Sequence, residues 1–248
     1  MHLHPPVESL SDVTQAMKAQ GFCLVPAPVV AQLVQADLKD LQSLAGFWNA
    51  LLADTFLKDQ GRYRQRRHDS LVVEKGHARL MPHRAHWQSV DYNALHGGIE
   101  RWFEPSQTLL TSNSAWQSLL LGLVHMLNGV KPVTTWFVEA HQFRIDTTDG
   151  IGRPTPEGAH RDGVDFVAVF LLSRVGIKGG ETRIFDAGGS AGLRFTLSQP
   201  WSLLLMNDAR MIHESTPIQP IGPHGYRDTL VLTFRSNGFQ DSPNRSQQ

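Results

Sequence analysis

The sequence is short of cysteine, of net charge and of long apolar runs, and each shortage removes a class of protein. With one cysteine among 248 residues, Cys23, no internal disulfide can form and a thiolate-cluster metal site is excluded. Lysine plus arginine and aspartate plus glutamate each number 23, so the formal net charge is zero and no global field draws the chain to nucleic acid or anionic lipid. No apolar stretch approaches a bilayer span, and Met1-His2-Leu3-His4-Pro5-Pro6 lacks a basic segment followed by an apolar run. A soluble, unexported, cytoplasmic protein with neither nucleic-acid nor membrane partners is expected. Cys23, within Gly21-Phe22-Cys23-Leu24-Val25, reads as a small buried hydrophobe.

What is present is a helical opening followed by many short strands. Ser11 can cap a helix that runs to about Gln20 and stops at Gly21, before a buried strand at Phe22–Val25. Apolar residues recur at helical spacing from Val29 to Leu57, predicting one or two amphipathic helices, and again from Thr108 to Asn128. Asp69 to Glu74 reads as a strand. From Val133 onward short β-like runs alternate with turns such as Lys178-Gly179-Gly180 and Asp186-Ala187-Gly188-Gly189. The intervals are too short for helical crossovers, so the strands must be mainly antiparallel, and a two-sheet jelly roll follows. The expected fold is mainly β with α, in a single domain over 1–240. Its helical layer covers about 1–60 and its jelly roll about 61–240, with a disordered tail at 241–248.

The chemistry is concentrated in Glu157-Gly158-Ala159-His160-Arg161-Asp162-Gly163-Val164-Asp165. In extended backbone, residues i and i+2 point to one side, so His160 and Asp162 form a two-pronged clamp suited to a divalent first-row metal. A second histidine would complete a face with open coordination positions. His213, which follows the apolar run Trp201–Met206, is the best candidate. Arg227 and Thr229 likewise share a face at the start of the last strand, where a guanidinium and a hydroxyl make a carboxylate cradle. A His-x-Asp triplet alone usually serves a turn; it is the ordered set that points to function. In Gly61-Arg62-Tyr63-Arg64-Gln65-Arg66-Arg67-His68, the residues Arg62, Arg64 and Arg66 share one face if extended, and either hold an anionic substrate or form a solvated surface. His83 and His86 lack partners at zinc-site spacing.

This order, together with Val138-Glu139-Ala140-His141-Gln142-Phe143-Arg144-Ile145, Gly179-Gly180-Glu181-Thr182 and Asn207-Asp208, resembles the iron(II)- and 2-oxoglutarate-dependent dioxygenases. More narrowly, Val138 to Ile145, Glu157 to Gly163 and Gly61-Arg62-Tyr63-Arg64 look like the bacterial subgroup with L-isoleucine 4-hydroxylase and biofilm stress and motility proteins. The resemblance implies a double-stranded β-helix in which His160, Asp162 and His213 hold iron and Arg227 holds the distal carboxylate of 2-oxoglutarate, with Thr229 adding a bond. It also implies O2 as cosubstrate, and hydroxylation or sulfoxidation of a free aliphatic L-amino acid. Such a substrate needs a cation, which Arg62 or Arg64 can supply, and Gln142 is favoured as a polar contact on the resemblance alone. Strand parity leaves open whether Gln142 and Arg144, or His141 and Phe143, face the cavity. Glu181 or Asp165 would orient a ligand imidazole. Two other readings compete: a metal-binding jelly-roll regulatory protein without turnover, and a cupin-like lyase or isomerase.

Overall fold

The computed structural model describes residues 8–243. The opening residues read for export, and the expected tail from Asn244 onward, lie outside the described residues. Asp241 itself is held by an ion pair with Arg84.

Helix α1 (Val13–Gln20) ends at Gly21, whose φ of 81° suits glycine and whose N–H reaches Met17 O at 3.2 Å. Its N-cap is Asp12 rather than the expected Ser11, whose hydroxyl bonds the Asp12 carboxylate instead. Strand β1 (Phe22–Val25) follows. The apolar periodicity expected over Val29–Leu57 divides into α2 (Ala27–Val34), α3 (Leu38–Ser43) and a 3-10 run at Leu44–Ala50. Gln35, with a φ of 53°, breaks it, and Asp37 restarts it by accepting the Lys39 N–H at 2.8 Å. After the two-residue β2 (Leu52–Ala53), β3 runs from Arg64 to Glu74, longer than expected, and turns back as β4 (His77–Leu80).

The helix expected over Thr108–Asn128 is two, α4 (Thr108–Thr111) and α5 (Ser114–Val130), the second capped by Asn113 through the Ala115 N–H at 2.8 Å. Trp116, Leu119, Leu120, Leu123 and Leu127 form the buried face of α5. Then come β5 (Thr135–Asp146), β6 (Phe166–Val175), β7 (Ile177–Gly179), β8 (Thr182–Asp186) and β9 (Gly192–Phe195). The chain ends on β10 (Leu203–Asn207), β11 (Met211–Ser215), β12 (Ile218–Pro220) and β13 (Tyr226–Arg235).

The larger sheet has the order β1-β10-β6-β13-β5-β3-β2, with β4 beside β3; β11-β8-β9 and β12-β7 form smaller sheets. The named strands pair antiparallel throughout, as the short connections require. This is the jelly roll expected from the sequence, with helices packed on the outer face of its larger sheet. The helical layer is not confined to the first quarter, because α5 packs beside α1 and α2 in the same core. No helix among the described residues is long and apolar enough to cross a membrane.

Alternation on the larger sheet prepares the site. On β5, Val138 and Ala140 join the core under the helices, whereas Glu139, His141, Phe143 and Ile145 line a cavity on the other face. The register extends this across strands: Arg64, Ile145 and Arg227 form one row, Arg66, Phe143 and Thr229 the next, and His68, His141 and Val231 a third. A bulge opposite Asp228 and Thr229 shifts the parity of β6 and brings Arg174 level with Arg227.

Trp48 fixes this wall from behind, its indole N–H donating to both Phe143 O and Thr229 O at 3.1 Å. Replacing it by phenylalanine leaves two carbonyls without that donor. Trp48→Phe should cost about 1–3 kcal/mol in a denaturant unfolding experiment. An unchanged midpoint would mean that water replaces the indole without loss.

Candidate active site

His160 lies just beyond any regular strand and is held in place by its neighbours. It forms an isolated β-bridge with His213 of β11, each N–H meeting the other carbonyl at 3.0 Å. The two imidazole centroids are consequently 4.6 Å apart. Asp162 stands between them, with Oδ1 3.8 Å from His160 Nε2 and Oδ2 3.7 Å from His213 Nε2. The Nδ1 of His160 lies 2.9 Å from Gly158 O; a carbonyl can only accept, so the proton is on Nδ1 and the Nε2 lone pair faces Asp162. Glu157 adds a second carboxylate, with Oε1 3.5 Å from His160 Nε2 and a buried Oε2 that has no partner.

Two nitrogens and an oxygen converging with no thiolate present suit iron(II), and three such ligands leave positions for other molecules. Burial works against charging His160, but Asp162 and Glu157 outweigh it and raise its pKa. Burial, aided by His160, pushes His213 down to about 3, so it stays a neutral donor.

Asp208 positions the clamp. Its carboxylate accepts the backbone N–H groups of Asp162, Gly163 and Val164 at 2.9, 2.8 and 3.1 Å. Burial and the charge of Asp162 raise its own pKa to about 6 despite those donors. From the other side Gln240 donates to the carbonyls of Asp162 and Gly163. Gln88 donates to Asp162 Oδ1 at 3.1 Å; its own oxygen accepts from Arg101 at 2.8 Å and from Asn93 at 3.3 Å, which fixes the amide orientation.

The triad opens into a cavity whose empty space, open mouth included, is about 950 Å³. Arg227 lines it, buried, with an Nε that has no partner, and burial together with Arg174 lowers its pKa to about 10. Thr229 follows on the same face. Gly180 packs behind: a Cβ there would come within 2.9 Å of Arg174 Nη1, and its φ of 67° also favours glycine.

The other sequence-predicted residues divide. Arg64 lines the cavity with its Nε on Asp54 at 2.7 Å. Arg62 does not, since it precedes β3 and turns outward to an exposed ion pair with Asp149 at 2.9 Å. Gln142 is likewise misplaced: it is buried but sits on the helix-facing side of β5, whose alternation gives the cavity His141 and Phe143 instead. The two proposed orienting carboxylates have other partners. Asp165 is held by Lys131 and Ser236, and Glu181 accepts from Arg183. The Gly158 carbonyl orients the His160 imidazole, whereas Asp208 and Gln88 hold the Asp162 segment, and nothing local in the sequence marks Gln88.

Sequence reasoning also missed a buried group formed by His68, His86, Glu139 and His141. His68 Nε2 and His86 Nδ1 meet Glu139 Oε1 at 3.1 and 3.2 Å. The alternation of β3 and β5 was the available signal for three of them; His86 comes from the loop after β4.

Similarity to known proteins agrees with this geometry. Among solved structures, a BsmA homologue from Methylobium petroleophilum is 46% identical over 96% of this chain and 97% of its own, with a TM-score of 0.91. An IDO from Bacillus thuringiensis matches in fold at 15% identity and a TM-score of 0.75, covering 96% of this chain and 100% of its own. So does TqaL, an Fe(II)/α-ketoglutarate-dependent dioxygenase, at 19% identity and 0.68, over 91% and 86%. No curated protein matches the sequence. The model of the 2OG-Fe dioxygenase family matches residues 45–233, and the chain belongs to that family. It is a 2-oxoglutarate-dependent oxygenase, using iron(II), 2-oxoglutarate and O2.

Asp208→Asn keeps the shape, but one acceptor oxygen becomes an NH2 facing a backbone N–H, so at least one of the three bonds is lost and the remainder lose their charge. It should lower iron(II) affinity about 10- to 100-fold in an anaerobic titration, though Asp208 touches no metal. A second outcome concerns acid stability. Burial pushes His86 down from 6.5 to about 3, and His68 and His86 hold Glu139 well below 4.5 in spite of its burial. Between 6.5 and 3 the unfolded chain therefore binds protons that the fold refuses, and stability is lost as pH falls. The melting temperature should drop from pH 6.5 to 4.5, with a shallower slope in His86→Gln; equal slopes would show that other groups control the acid limb.

Proposed function

We propose that this oxygenase hydroxylates or sulfoxidises a free aliphatic L-amino acid, with His160, Asp162 and His213 holding iron and Arg227 and Thr229 holding the distal carboxylate of 2-oxoglutarate. The observation that carries the reading is the make-up of one cavity wall. Arg227 stands at one side, a second group of cations and a carboxylate stand at the other, and Phe143, Val169 and Val231 supply apolar surface. A small zwitterion with a hydrocarbon side chain needs all three kinds of contact. The family resemblance to amino-acid hydroxylases supports the same substrate class. Cys23, buried and unpaired, accords with a cytoplasmic setting, as do the sequence arguments above.

When bound, the iron supplies oxidative decarboxylation of 2-oxoglutarate to succinate and carbon dioxide, coupled to transfer of one O2 oxygen to the substrate. The chain does the rest. Arg227 offers a planar fork to one carboxylate, and its burial makes that bond strong because no water competes. His213, kept neutral, and His160, with its proton held on Gly158 O, present lone pairs. The wall of β5 and β13 restricts where a C–H bond can lie.

Incubation of the protein with iron(II), ascorbate, 2-oxoglutarate and an aliphatic amino-acid mixture should yield succinate and an amino acid heavier by one oxygen, read by mass spectrometry. His160→Ala should abolish both products. Arg227→Met should weaken 2-oxoglutarate binding at least about tenfold, the loss of one charge-assisted contact. Continued turnover by His160→Ala would defeat the assignment.

A further inference from the structure

Arg66 is a buried guanidinium that takes part in no ion pair among the described residues, although it lines the cavity. Its Cζ lies 3.9 Å from the Phe103 ring centroid and 4.6 Å from that of Phe143. These rings leave only the edge of the guanidinium for hydrogen bonding. One Nη donates to His141 Nδ1 at 2.8 Å, and the buried Nε has no partner. Arg101 repeats the pattern: it is 2% exposed and lines the same cavity, with one Nη on Gln88 and an orphaned Nε. Burial and the charge of Arg101 press the Arg66 pKa well below its ordinary value, against the opposing charges of Asp54 and Glu139. Two strands away, Arg227 serves a different row of the wall.

Beside these cations, Glu139 sits in the same wall with both histidine contacts on Oε1. Within the four-residue group that includes it, His141 is not free to bind a metal. A guanidinium can only donate, so His141 Nδ1 accepts from Arg66 and the ring proton is on Nε2, leaving no lone pair for a metal. The neighbouring guanidinium would also repel a divalent cation.

We propose that Arg66, backed by Arg101, seats the α-carboxylate of the substrate and that Glu139 seats its ammonium group. This rests on the amino-acid reading above. Phe143 then lies against the substrate between Arg66 and Thr229, in the row where their strands pair, and the side chain extends past it toward the triad. Recognition of both charged groups makes the enzyme selective for free amino acids over amides, acylated derivatives and residues within peptides. His68 and His86 act as positioning residues that fix the carboxylate of Glu139.

The test compares L-isoleucine, L-leucine and L-methionine with their amides and N-acetyl derivatives, using the iron-loaded full chain and mass spectrometry. The free acids should exceed both derivatives in kcat/KM by at least about tenfold. Arg66→Gln should raise the KM for the amino acid by a similar factor, and Arg66→Lys should recover part of the loss. Arg227→Met should instead raise the KM for 2-oxoglutarate. Amides used as well as free acids would overturn the assignment without any variant having to fold. So would an Arg66→Gln effect confined to 2-oxoglutarate, or a second iron or zinc per chain that is lost in His141→Ala. If 2-oxoglutarate is consumed but no amino acid or derivative is oxidised, the amino-acid reading itself falls, and this assignment with it.

Discussion

Two guanidinium groups, Arg66 and Arg227, are buried in the wall of one cavity, and neither joins an ion pair among the described residues. A buried charge without a partner is costly, so the fold has to be stable enough to bear it, and the cost is relieved when an anion enters. Much of the architecture answers that constraint. The helical layer packs an apolar core against the far side of the sheet, with Trp116, Trp136, Phe166 and Phe234 fully buried, and this frees the near side to carry polar groups. Rings of Phe103 and Phe143 cover Arg66, whereas the β6 bulge sets a second cation, Arg174, beside Arg227 and adds to the cost until an anion enters.

The same economy governs the metal clamp. His160 and Asp162 lie in a stretch without regular secondary structure, which alone would be too loose to hold two donors in place. Backbone contacts supply the rigidity: the bridge to His213, three N–H groups gathered by Asp208, and two carbonyls held by Gln240. These supports come from chain positions far apart, including one near the end of the described residues. Gln88 connects the clamp to Arg101, so the proposed substrate seat and the Asp162 carboxylate share one hydrogen-bond network.

Much of this was legible in the residues themselves. Gly21 marked a helix end, the apolar spacing of Trp116 to Leu127 marked a helix, and turn-rich short runs marked an antiparallel jelly roll. The ordered set His160, Asp162, His213, Arg227 pointed to one cavity, and all four line it. Local rules failed where two faces of a strand looked alike. On β5 both parities carry polar residues, so alternation leaves the cavity face open; the Gln142 contact rests on the resemblance alone, and it is His141 that faces the cavity. Arg62 shares a face with Arg64 and Arg66 only in extended backbone, and the strand begins at Arg64. Strands β7 and β12 are three residues each, too short for a period-two pattern to register.

The sequence by itself determined the local choices, namely which segments are helical or extended and which side chains can share a face. Those depend on backbone sterics and on periodicities of a few residues. Only the tertiary structure decided which face of β5 meets the cavity, that Asp208 and Gln240 brace the clamp, and that His68, His86, Glu139 and His141 gather beside Arg66. The reason is physical: a strand acquires an inside and an outside only when a helix packs on one of its faces, and no residue on the strand specifies that by itself.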